Sequence, residues 1–492
     1  GGNMKFGDYP KAGSFDGVPG FRRYVQSLGL DMPCDDIVSG GPNSPLGSPL
    51  DFDGMSIGHR LAVQPMEGWD CLTDSRPSEN TKRRWKRFGL SGAKLIWGGE
   101  ACAVRPDGRA NPKQLVMAEH SQKDIAELRQ IVIDAHKEAT GGEDNLIIGL
   151  QLTHSGRFCK PNDNTKFEPI IAYRHLLLDK KFGYPVDRPV ISDDEIRRLV
   201  EDFVIAAKRA EQCGFDFVDV KHCHGYLAHE FLSAVDRLGP YGGSLENRTR
   251  FLREIVEGIR AEAPRLRIGV RLSAVDSMPF KPDPARSLPG ALGPGVPEDV
   301  ALPYPYAFGA DPNDPLRYDL TEPKAFLEIL RGLNVRFVNV TAGSPYYNPH
   351  YIRPALYPPS DGYHPPEDPF VGVMRHLDVV RELKAAFPDF CFMGSGYTYL
   401  QEYFPNVAQA VVRRGWVDLV GLGRMVLAYP ELPLDILQNR PVQKKRLCRT
   451  FSDCTTAPRN SIVSGCYPLD AFYKKSAEFK QLAVVKKHAQ TA

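Results

Sequence analysis

The hydrophobic residues of the chain follow one rhythm from about residue 59 to residue 430. A short apolar run, typical of a buried β-strand, is followed each time by a longer segment with the period of an amphipathic helix. Eight runs are predicted as strands, at residues 61–64, 93–97, 146–150, 217–220, 267–272, 336–340, 390–393 and 417–421. Since crossovers through helices make such strands parallel, the alternation predicts an α/β fold, a (β/α)8 TIM barrel.

The segments between these strands carry helix signals. Helices are predicted at residues 79–88, 121–140, 192–213, 245–263, 322–331, 370–387 and 399–414. Ser192, followed three residues later by Glu195, is a capping-box signature and supports the start of the third helix. An open doubly wound sheet is the alternative, but no GxGxxG run follows the first strand to support it.

Several regions lie outside the barrel repeat. Residues 4–58 are rich in Gly, Pro, Asp and Ser and predict an extended N-terminal arm, while residues 436–492 predict a short C-terminal extension of the barrel at 59–435. Long insertions follow strand 5 (277–320) and strand 6 (344–369). Their Tyr and Pro content favours a lid over a planar or apolar substrate, with a dimer contact as the alternative.

Composition excludes several classes of function. The net charge is only +2, which gives no electrostatic reason to expect a nucleic-acid or membrane partner. No apolar run approaches the roughly 20 residues of a membrane span, and the first residues lack the apolar stretch of a signal peptide. The ten cysteines are scattered, several of them inside predicted strands, as in a protein of the reducing cytoplasm. We therefore expect a cytoplasmic enzyme with a small-molecule substrate, and leave open whether it is a homo-oligomer.

The carboxyl ends of the predicted strands carry the polar chemistry. Strand 4 ends on Lys221, His224 and Tyr226, groups that donate, accept or move protons. Arg271 ends strand 5, where a buried arginine requires an anionic partner, either a ligand or Asp219 on strand 4. Glycines after strands 7 and 8, together with one arginine, form the phosphate site typical of barrel enzymes.

Seven strand-end motifs, in their order along the chain, resemble the old yellow enzyme family of FMN-dependent ene-reductases. The motifs are QPMEGWD (64–70), GGEACAV (98–104), GLQLTHSGR (149–157), KHCHGYL (221–227), GVRLSA (269–274), GSG (394–396) and GLGRM (421–425). Within the family they resemble most the barrel domain shared by 2,4-dienoyl-CoA reductase and trimethylamine dehydrogenase. The resemblance covers about residues 58–430 and implies bound FMN, with NAD(P)H as the reductant.

This resemblance implies cofactor contacts for the matching residues. Arg271 would face the N1/O2 edge of the flavin, and Gln151 its pyrimidine edge. Taken alone, Gln151 is more simply a satisfied core glutamine; its place beside Arg271 favours the flavin. Glu67 stands where the family has Thr or Cys, and the sequence does not decide whether it faces the flavin or solvent. The remaining positions implied to contact FMN are Pro65, Met66 and Ala101 along the flavin, and Gly394, Gly396, Gly423 and Arg424 near its phosphate.

The resemblance also implies catalytic roles at the end of strand 4. Tyr226 corresponds to the family's proton donor, the phenol that protonates the substrate carbon opposite the incoming hydride. His224 matches the second member of a pair that hydrogen-bonds a substrate carbonyl or nitro oxygen. Lys221 stands in place of the first member, usually His, and still offers charge-assisted hydrogen bonds, though with another geometry. His222 has the opposite strand parity and is expected to face the helices.

The C-terminal extension contains part of an iron–sulfur motif. The resembled branch has a C-x2-C-x3-C-x11-C cluster at this point, whereas this chain has Cys448, Cys454 and Cys466, with Phe451 at a ligand position. A [4Fe–4S] cluster takes four thiolates, so three cysteines predict that the cluster has been lost. No other metal site is expected.

Together these observations predict an FMN-dependent oxidoreductase, an NAD(P)H:flavin oxidoreductase of ene-reductase type. It would transfer hydride between flavin N5 and the activated C=C bond of an enone or dienoyl-type substrate. Oxidation of a specialised substrate, as by a dehydrogenase or demethylase, is the first alternative. A Schiff-base lyase built on Lys221 is the second, and a flavin-binding barrel without turnover that serves a partner protein is the third.

Overall fold

The computed structural model describes residues 9–491, with side chains up to residue 488, so residues 4–8 of the predicted arm lie outside it. Eight parallel strands pair in chain order, and the last also pairs with the first, which closes the sheet into a barrel. The predicted (β/α)8 TIM barrel is therefore confirmed. The strands are β1 (Leu61–Val63), β2 (Leu95–Ile96), β3 (Ile147–Thr153), β4 (Phe217–Val220), β5 (Arg267–Val275), β6 (Phe337–Ala342), β7 (Cys391–Gly394) and β8 (Leu419–Leu422).

Helices cover the outside of the barrel and connect its strands. The third begins as predicted, because the Ser192 hydroxyl accepts a hydrogen bond from the Glu195 N–H at 3.1 Å and satisfies a free donor of the first turn. Its buried residues, such as Leu199 and Phe203, form the face that packs against the sheet. The connecting helices are Glu79–Leu90, Gln122–Thr140, Asp193–Cys213, Arg250–Glu262, Thr321–Gly332, Pro369–Ala386 and Phe404–Arg413.

Two predicted helices differ in the structure. The helix expected at 245–263 is divided at Thr249, whose hydroxyl donates to the backbone carbonyl of Leu245 at 2.8 Å. Such side-chain bonding to the backbone competes with a regular helix. The helix expected at 399–414 begins instead as a 3-10 segment, Thr398–Tyr403, in which Gln401 has φ 52° and ψ −116°. The regular helix begins only after that strained residue.

The amino end of the barrel is closed by the N-terminal arm. A hairpin of Leu50–Phe52 and Met55–Ile57 packs its buried residues against the first residues of the barrel strands. Aromatic side chains of the barrel meet it there; the ring centroids of Trp97 and Phe337 are 4.4 Å apart. This end is an apolar plug, so ligand access is confined to the opposite end.

The carboxyl end is covered by chain from outside the repeat. The first insertion forms two small hairpins, Phe280–Pro282 with Gly295–Pro297 and Ala310–Asp311 with Asp314–Tyr318, and the second contains the short helix Pro349–Ile352. The C-terminal extension forms the helices Asp453–Arg459, Ala471–Lys474 and Ala477–Thr491. Among the described helices, none combines the length and the apolar character needed to cross a membrane.

Candidate functional site

A cavity with an empty volume of about 1310 Å³, including its open mouth, lies at the carboxyl ends of the barrel strands. Most of the residues predicted for the site line it, namely Pro65, Met66, Gln151, Lys221, His224, Tyr226, Arg271, Gly396, Gly423 and Arg424. Two predicted residues are not among the lining residues. Ala101 lies in the short strand Ala101–Ala103, which pairs with β3 and is fully buried, and the Gly394 carbonyl is bonded by Gln64 Nε2 at 3.0 Å.

Arg271 extends from β5 into this cavity without a carboxylate partner among the described residues. Its backbone N–H donates to Asp219 Oδ1 at 2.7 Å, but its guanidinium forms no ion pair there, so the predicted alternative of a salt bridge to Asp219 is wrong. Its Nε is buried and lacks a hydrogen-bond partner. Burial lowers the pKa of Arg271, and a buried unpaired cation requires an anionic or electron-rich partner.

Both carboxylate oxygens of Asp219 accept hydrogen bonds from groups other than the Arg271 guanidinium. Trp97 Nε1 donates to its Oδ2 at 2.8 Å and Gln151 Nε2 donates to the same oxygen at 2.7 Å. The Gln151 amide is therefore held by its NH2 group, and its carbonyl oxygen makes no hydrogen bond among the described residues. This arrangement suits a side chain that accepts from a ligand N–H.

Two further cations, Arg353 and Arg424, lie at the end of the cavity formed by β7 and β8. Arg424 Nη1 donates to Thr455 Oγ1 at 2.5 Å, and Arg353 Nη1 donates to Ser452 Oγ at 2.8 Å, so neither is neutralised by these contacts. Arg353 also has a buried Nε without a partner, and burial and the Arg424 charge lower its pKa. Arg353 is not among the residues predicted from the sequence, where its one signal is that it is the only Lys or Arg in insertion 344–369.

Two glycines lie beside these cations, and the backbone of one of them requires glycine. Gly396 has φ +85°, and a Cβ there would lie 2.7 Å from His376 Cδ2. Gly423, by contrast, leaves the cavity side open, since a Cβ would have no atom nearer than 3.7 Å. Two glycines, together with two guanidinium groups that have no carboxylate partner among the described residues, form a cradle that fits a phosphate.

The cysteines of the extension do not fit a [4Fe–4S] cluster. Arg353 Nη2 lies 4.0 Å from Cys448 Sγ, and Arg424 Nη1 lies 3.4 Å from Cys454 Sγ, so guanidinium groups occupy the space around the thiols. Burial acts to raise the pKa of Cys454, but the two arginines outweigh it and lower that pKa. Within residues 9–491, no group of three or more His, Cys, Asp and Glu side chains is arranged to hold a metal ion.

Glu67 lies at the centre of a polar network on the other side of the cavity. Its Oε2 accepts from Tyr226 Oη at 2.9 Å and from Trp69 Nε1 at 2.9 Å, and its Oε1 lies 3.4 Å from Lys221 Nζ. Its side chain is only 11% exposed, so it faces the cavity and not solvent. Tyr346, from the second insertion, completes the network with its hydroxyl 3.0 Å from that of Tyr226.

This network determines the chemistry of Lys221 and Tyr226. The Lys221 ammonium lies 4.1 Å from the centroid of the Tyr226 ring and is paired with the Glu67 carboxylate. An ion-paired ammonium is a poor nucleophile, which disfavours a Schiff base. Burial, and next the Glu67 charge, raise the pKa of Tyr226 well above its usual range, so the phenol stays protonated.

His224 is held in a conformation that few residues adopt. It has φ +68°, with its N–H donating to Ser273 Oγ at 3.1 Å and its carbonyl accepting from Ser344 Oγ at 2.7 Å. Its Nε2 is buried without a partner, and burial, followed by the Lys221 and Arg271 charges, lowers its pKa well below the usual value. A neutral imidazole therefore faces the cavity. His222 instead bonds the Val220 carbonyl at 2.8 Å and does not line the cavity.

Comparison with known proteins identifies the family to which this chain belongs. The family model described as the NADH:flavin oxidoreductase / NADH oxidase family matches residues 45–284. A "12-oxophytodienoate reductase-like protein 2A" of Arabidopsis thaliana is 32% identical over 238 residues, which are 46% of this chain and 82% of that protein. The chain belongs to the NADH:flavin oxidoreductase / NADH oxidase family. The resemblance drawn from the motifs is thereby confirmed.

Other members of the family match a smaller part of their own length. An NADH:flavin oxidoreductase of Gibberella zeae is 31% identical over 50% of this chain and 60% of its own. An NADPH dehydrogenase of Bacillus subtilis is 30% identical over 47% of this chain and 64% of its own. The chain thus spans less than two thirds of the length of these two curated relatives.

Solved structures share the fold at lower identity. A 2-naphthoyl-CoA reductase bound to 2-naphthoyl-CoA superposes with a TM-score of 0.60 at 18% identity, over 86% of this chain and 56% of that one. Histamine dehydrogenase from Rhizobium sp. 4-9 superposes with a TM-score of 0.59 at 20% identity, over 87% and 53%. At such identities the likeness establishes the barrel fold alone.

Proposed function

We propose that this family member is an FMN-dependent oxidoreductase that uses NAD(P)H to reduce the activated C=C bond of an enone or dienoyl-type substrate. The observation that carries the proposal is that Arg271, Arg353 and Arg424 line one cavity with no carboxylate partner among the described residues. A flavin mononucleotide matches this demand, since it has a phosphate at one end and a polar ring edge at the other. Membership of the family supports the choice of flavin.

The residues present would divide the work of binding. Arg353, Arg424, Gly396 and Gly423 would hold the phosphate, and Gln151 and Arg271 would contact the polar edge of the ring. Pro65 and Met66, which follow β1, would line the ring itself. When bound, FMN supplies two-electron transfer between NAD(P)H and the substrate.

Three side chains would act on the substrate. The neutral His224 offers Nε2, which lacks a partner, to a substrate oxygen, and Lys221 adds a cation beside it. Tyr226 would supply the proton, because its raised pKa keeps the phenol protonated at neutral pH. Tyr346 and Trp69 would form aromatic walls of this region.

The proposal is tested by identifying the cofactor and its reactions. We expect the purified protein to have a flavin spectrum, to release FMN on acid treatment, and to be reduced anaerobically by NADPH or NADH and reoxidised by cyclohexenone. Arg271→Met should weaken FMN binding about 10- to 100-fold, the range expected for one charge-assisted hydrogen bond. Arg197→Met, on an exposed face, is the matched control. A colourless protein that does not bind added FMN would refute the proposal.

Oxidation of a substrate amine or alcohol is the second candidate, and one observation favours it. The Tyr226 hydroxyl donates to the Glu67 carboxylate, so in this state the pair is arranged to accept a proton from a substrate. Anaerobic mixing with amines and alcohols in the absence of NAD(P)H distinguishes the two directions. Bleaching of the flavin by one of these compounds, with no reoxidation by cyclohexenone, would favour oxidation.

We further infer the organisation and location of the protein. Residues 59–435 would be the FMN-binding unit, with the arm 4–58 and the extension 436–492 completing it. The ten cysteines are free thiols, which supports a cytoplasmic protein acting on small molecules. Light scattering in solution would establish whether it is a homo-oligomer.

A further inference from the structure

Glu67 is the one acidic side chain among the cavity-lining residues. Three donors converge on it: the phenol of Tyr226, the indole of Trp69 and the ammonium of Lys221. The polar groups that face it come from its own loop (Trp69), the end of β4 (Lys221 and Tyr226) and the second insertion (Tyr346, through Tyr226). A position that is Thr or Cys in the resembled family is thus occupied here by a carboxylate in direct contact with the expected proton donor.

We propose that Glu67 is the residue that holds the transferred proton, and that Tyr226 passes this proton between Glu67 and the substrate carbon. The proposal rests on the proposed function, since it concerns the proton step of the same site. It assigns to Glu67 a role that neither the family motifs nor the comparisons supply.

Hydrogen-bond directions support this relay. A carboxylate only accepts, so the Tyr226 hydrogen points to Glu67 in the present state, and the Tyr346 hydroxyl is free to donate to the Tyr226 oxygen. The Tyr226 hydrogen is then turned away from an incoming substrate. If Glu67 carries a proton, it becomes the donor to the Tyr226 oxygen, and the Tyr226 hydrogen is released for the substrate.

The electrostatics of the pair explain why a relay is favoured over a lone tyrosine. Proton donation by Tyr226 alone would leave a phenolate that is buried and 2.9 Å from the Glu67 carboxylate. Concerted transfer avoids this: the O–H bond of Glu67 breaks as a new O–H bond forms at Tyr226, and the former Tyr226 proton bonds to the substrate carbon. Glu67 ends as a carboxylate beside the Lys221 ammonium, and Tyr226 ends as a neutral phenol.

The cycle balances with the components already named. The hydride, a hydrogen with its electron pair, would come from NAD(P)H by way of the bound cofactor, and the proton would come from Glu67. Glu67 would regain a proton from water that enters the open cavity, which its side chain lines. In the oxidative direction each transfer is reversed, with Glu67 as the final proton acceptor.

The first test compares Glu67→Gln with Glu67→Asp in the holoenzyme. Gln keeps an acceptor for Tyr226 but holds no transferable proton, whereas Asp keeps the acid on a shorter side chain. Because Glu67 lines the same cavity, the rate of reoxidation of each variant is compared with that variant's own rate of reduction by NADPH. Reoxidation by cyclohexenone should slow about 100-fold in Glu67→Gln, the lower range for general acid catalysis, and recover partly in Glu67→Asp. A wild-type rate and an unchanged solvent deuterium isotope effect in Glu67→Gln would overturn the relay.

A second test needs no turnover. The ultraviolet absorbance of tyrosinate is titrated in the apoprotein, and the contribution of Tyr226 is isolated by subtracting matched Tyr226→Phe variants. Because the Glu67 charge raises the pKa of Tyr226, Glu67→Gln should shift that titration to lower pH. An unchanged titration would overturn the coupling on which the relay depends. If cyclohexenone does not reoxidise wild-type enzyme, the proposed function fails, and this titration alone decides the relay.

Discussion

Two carboxylates at the carboxyl end of the barrel accept hydrogen bonds from different kinds of donor. Glu67 lines the cavity, whereas Asp219 lies behind the cavity residue Gln151. Asp219, on β4, is fully buried and accepts hydrogen bonds from the Trp97 indole, the Gln151 amide and the Arg271 backbone. Glu67, after β1, accepts from an indole, a phenol and an ammonium. Both are satisfied acceptors, yet the donors around Glu67 include groups that exchange protons and those around Asp219 do not.

The difference separates a residue that orients its neighbours from one that takes part in proton transfer. The donors to Asp219 are neutral N–H groups in β3 and β5 and just after β2, so this carboxylate fixes the amide of Gln151 and the backbone of Arg271. Burial raises the pKa of Asp219, and three hydrogen bonds oppose that rise. The donors to Glu67 come from a loop (Trp69) and from the end of a strand (Lys221 and Tyr226), and Tyr346 of the second insertion contacts the Tyr226 hydroxyl.

Removing Asp219 should have the largest effect, and on stability. Asp219→Leu leaves the donors of Trp97, Gln151 and Arg271 buried without an acceptor, at about 1–3 kcal/mol each, so the free energy of unfolding should fall by about 3–9 kcal/mol. Urea unfolding followed by circular dichroism measures this. Asp219→Asn keeps one carbonyl acceptor and should lose less. Equal urea midpoints for Asp219→Leu and wild type would show that the three bonds are not structural.

The barrel and most of the cavity lining could be predicted from the sequence. Buried parallel strands read as short continuous apolar runs, and β4 has the bounds that its pattern predicts. Because reactive residues at strand ends converge at one end of a barrel, Lys221, His224, Tyr226 and Arg271 line a common cavity.

The partners of these residues could not be predicted in the same way. Glu67 is 159 residues from Tyr226 along the chain, and Tyr346 is 120 residues from it, so no local period relates them. Arg353 lies in an irregular insertion, where hydrophobic patterning says nothing of side-chain direction. The predicted flavin contact of Ala101 rests on motif order alone. In the structure Ala101 belongs to the extra strand Ala101–Ala103, where it is buried in the sheet and does not line the cavity.

Tyr226→Phe should have the next largest effect, on activity and not on stability. The variant keeps the ring that lies under Lys221 but removes the hydroxyl that delivers the proton to the substrate, so reoxidation by cyclohexenone should slow by about 10²- to 10⁴-fold. Stopped-flow absorbance under anaerobic conditions separates this step from reduction by NADPH, which should be unchanged. Phe replacement of Tyr467, buried in the C-terminal cluster, is the control for loss of a phenol. A Tyr226→Phe rate within a few-fold of wild type would remove Tyr226 from the proton path.

Lys221→Met should have a smaller effect on the same step. It removes the cation beside Glu67 and thus one charge-assisted donor to a substrate oxygen, worth about 1.5–3 kcal/mol or a 10- to 100-fold loss of rate. Lys221→Arg keeps the charge and should retain more of the rate. If both variants reoxidise at the wild-type rate, the ammonium serves only to pair Glu67, and the substrate oxygen is held by His224 alone.

The smallest effect concerns His224, the titratable group beside Lys221 that has no carboxylate partner. Its folded-state pKa lies well below that of the unfolded chain, because burial and two cations disfavour the charged form. The pKa of histidine in the unfolded chain is about 6.5. Below that pH the unfolded chain binds a proton that the folded protein does not, so the free energy of unfolding falls as the pH is lowered through about 6.5. For one such group the loss between pH 7 and about pH 5.5 is about 1 kcal/mol. Urea unfolding at both pH values measures this loss. Wild type should lose about 1 kcal/mol more than His224→Gln between pH 7 and about pH 5.5. The control variant His120→Gln, at an exposed position, should behave like wild type. An equal pH dependence in wild type and His224→Gln would mean that His224 binds a proton as readily in the folded protein as in the unfolded chain, and the assignment of an imidazole that burial keeps neutral would then be wrong.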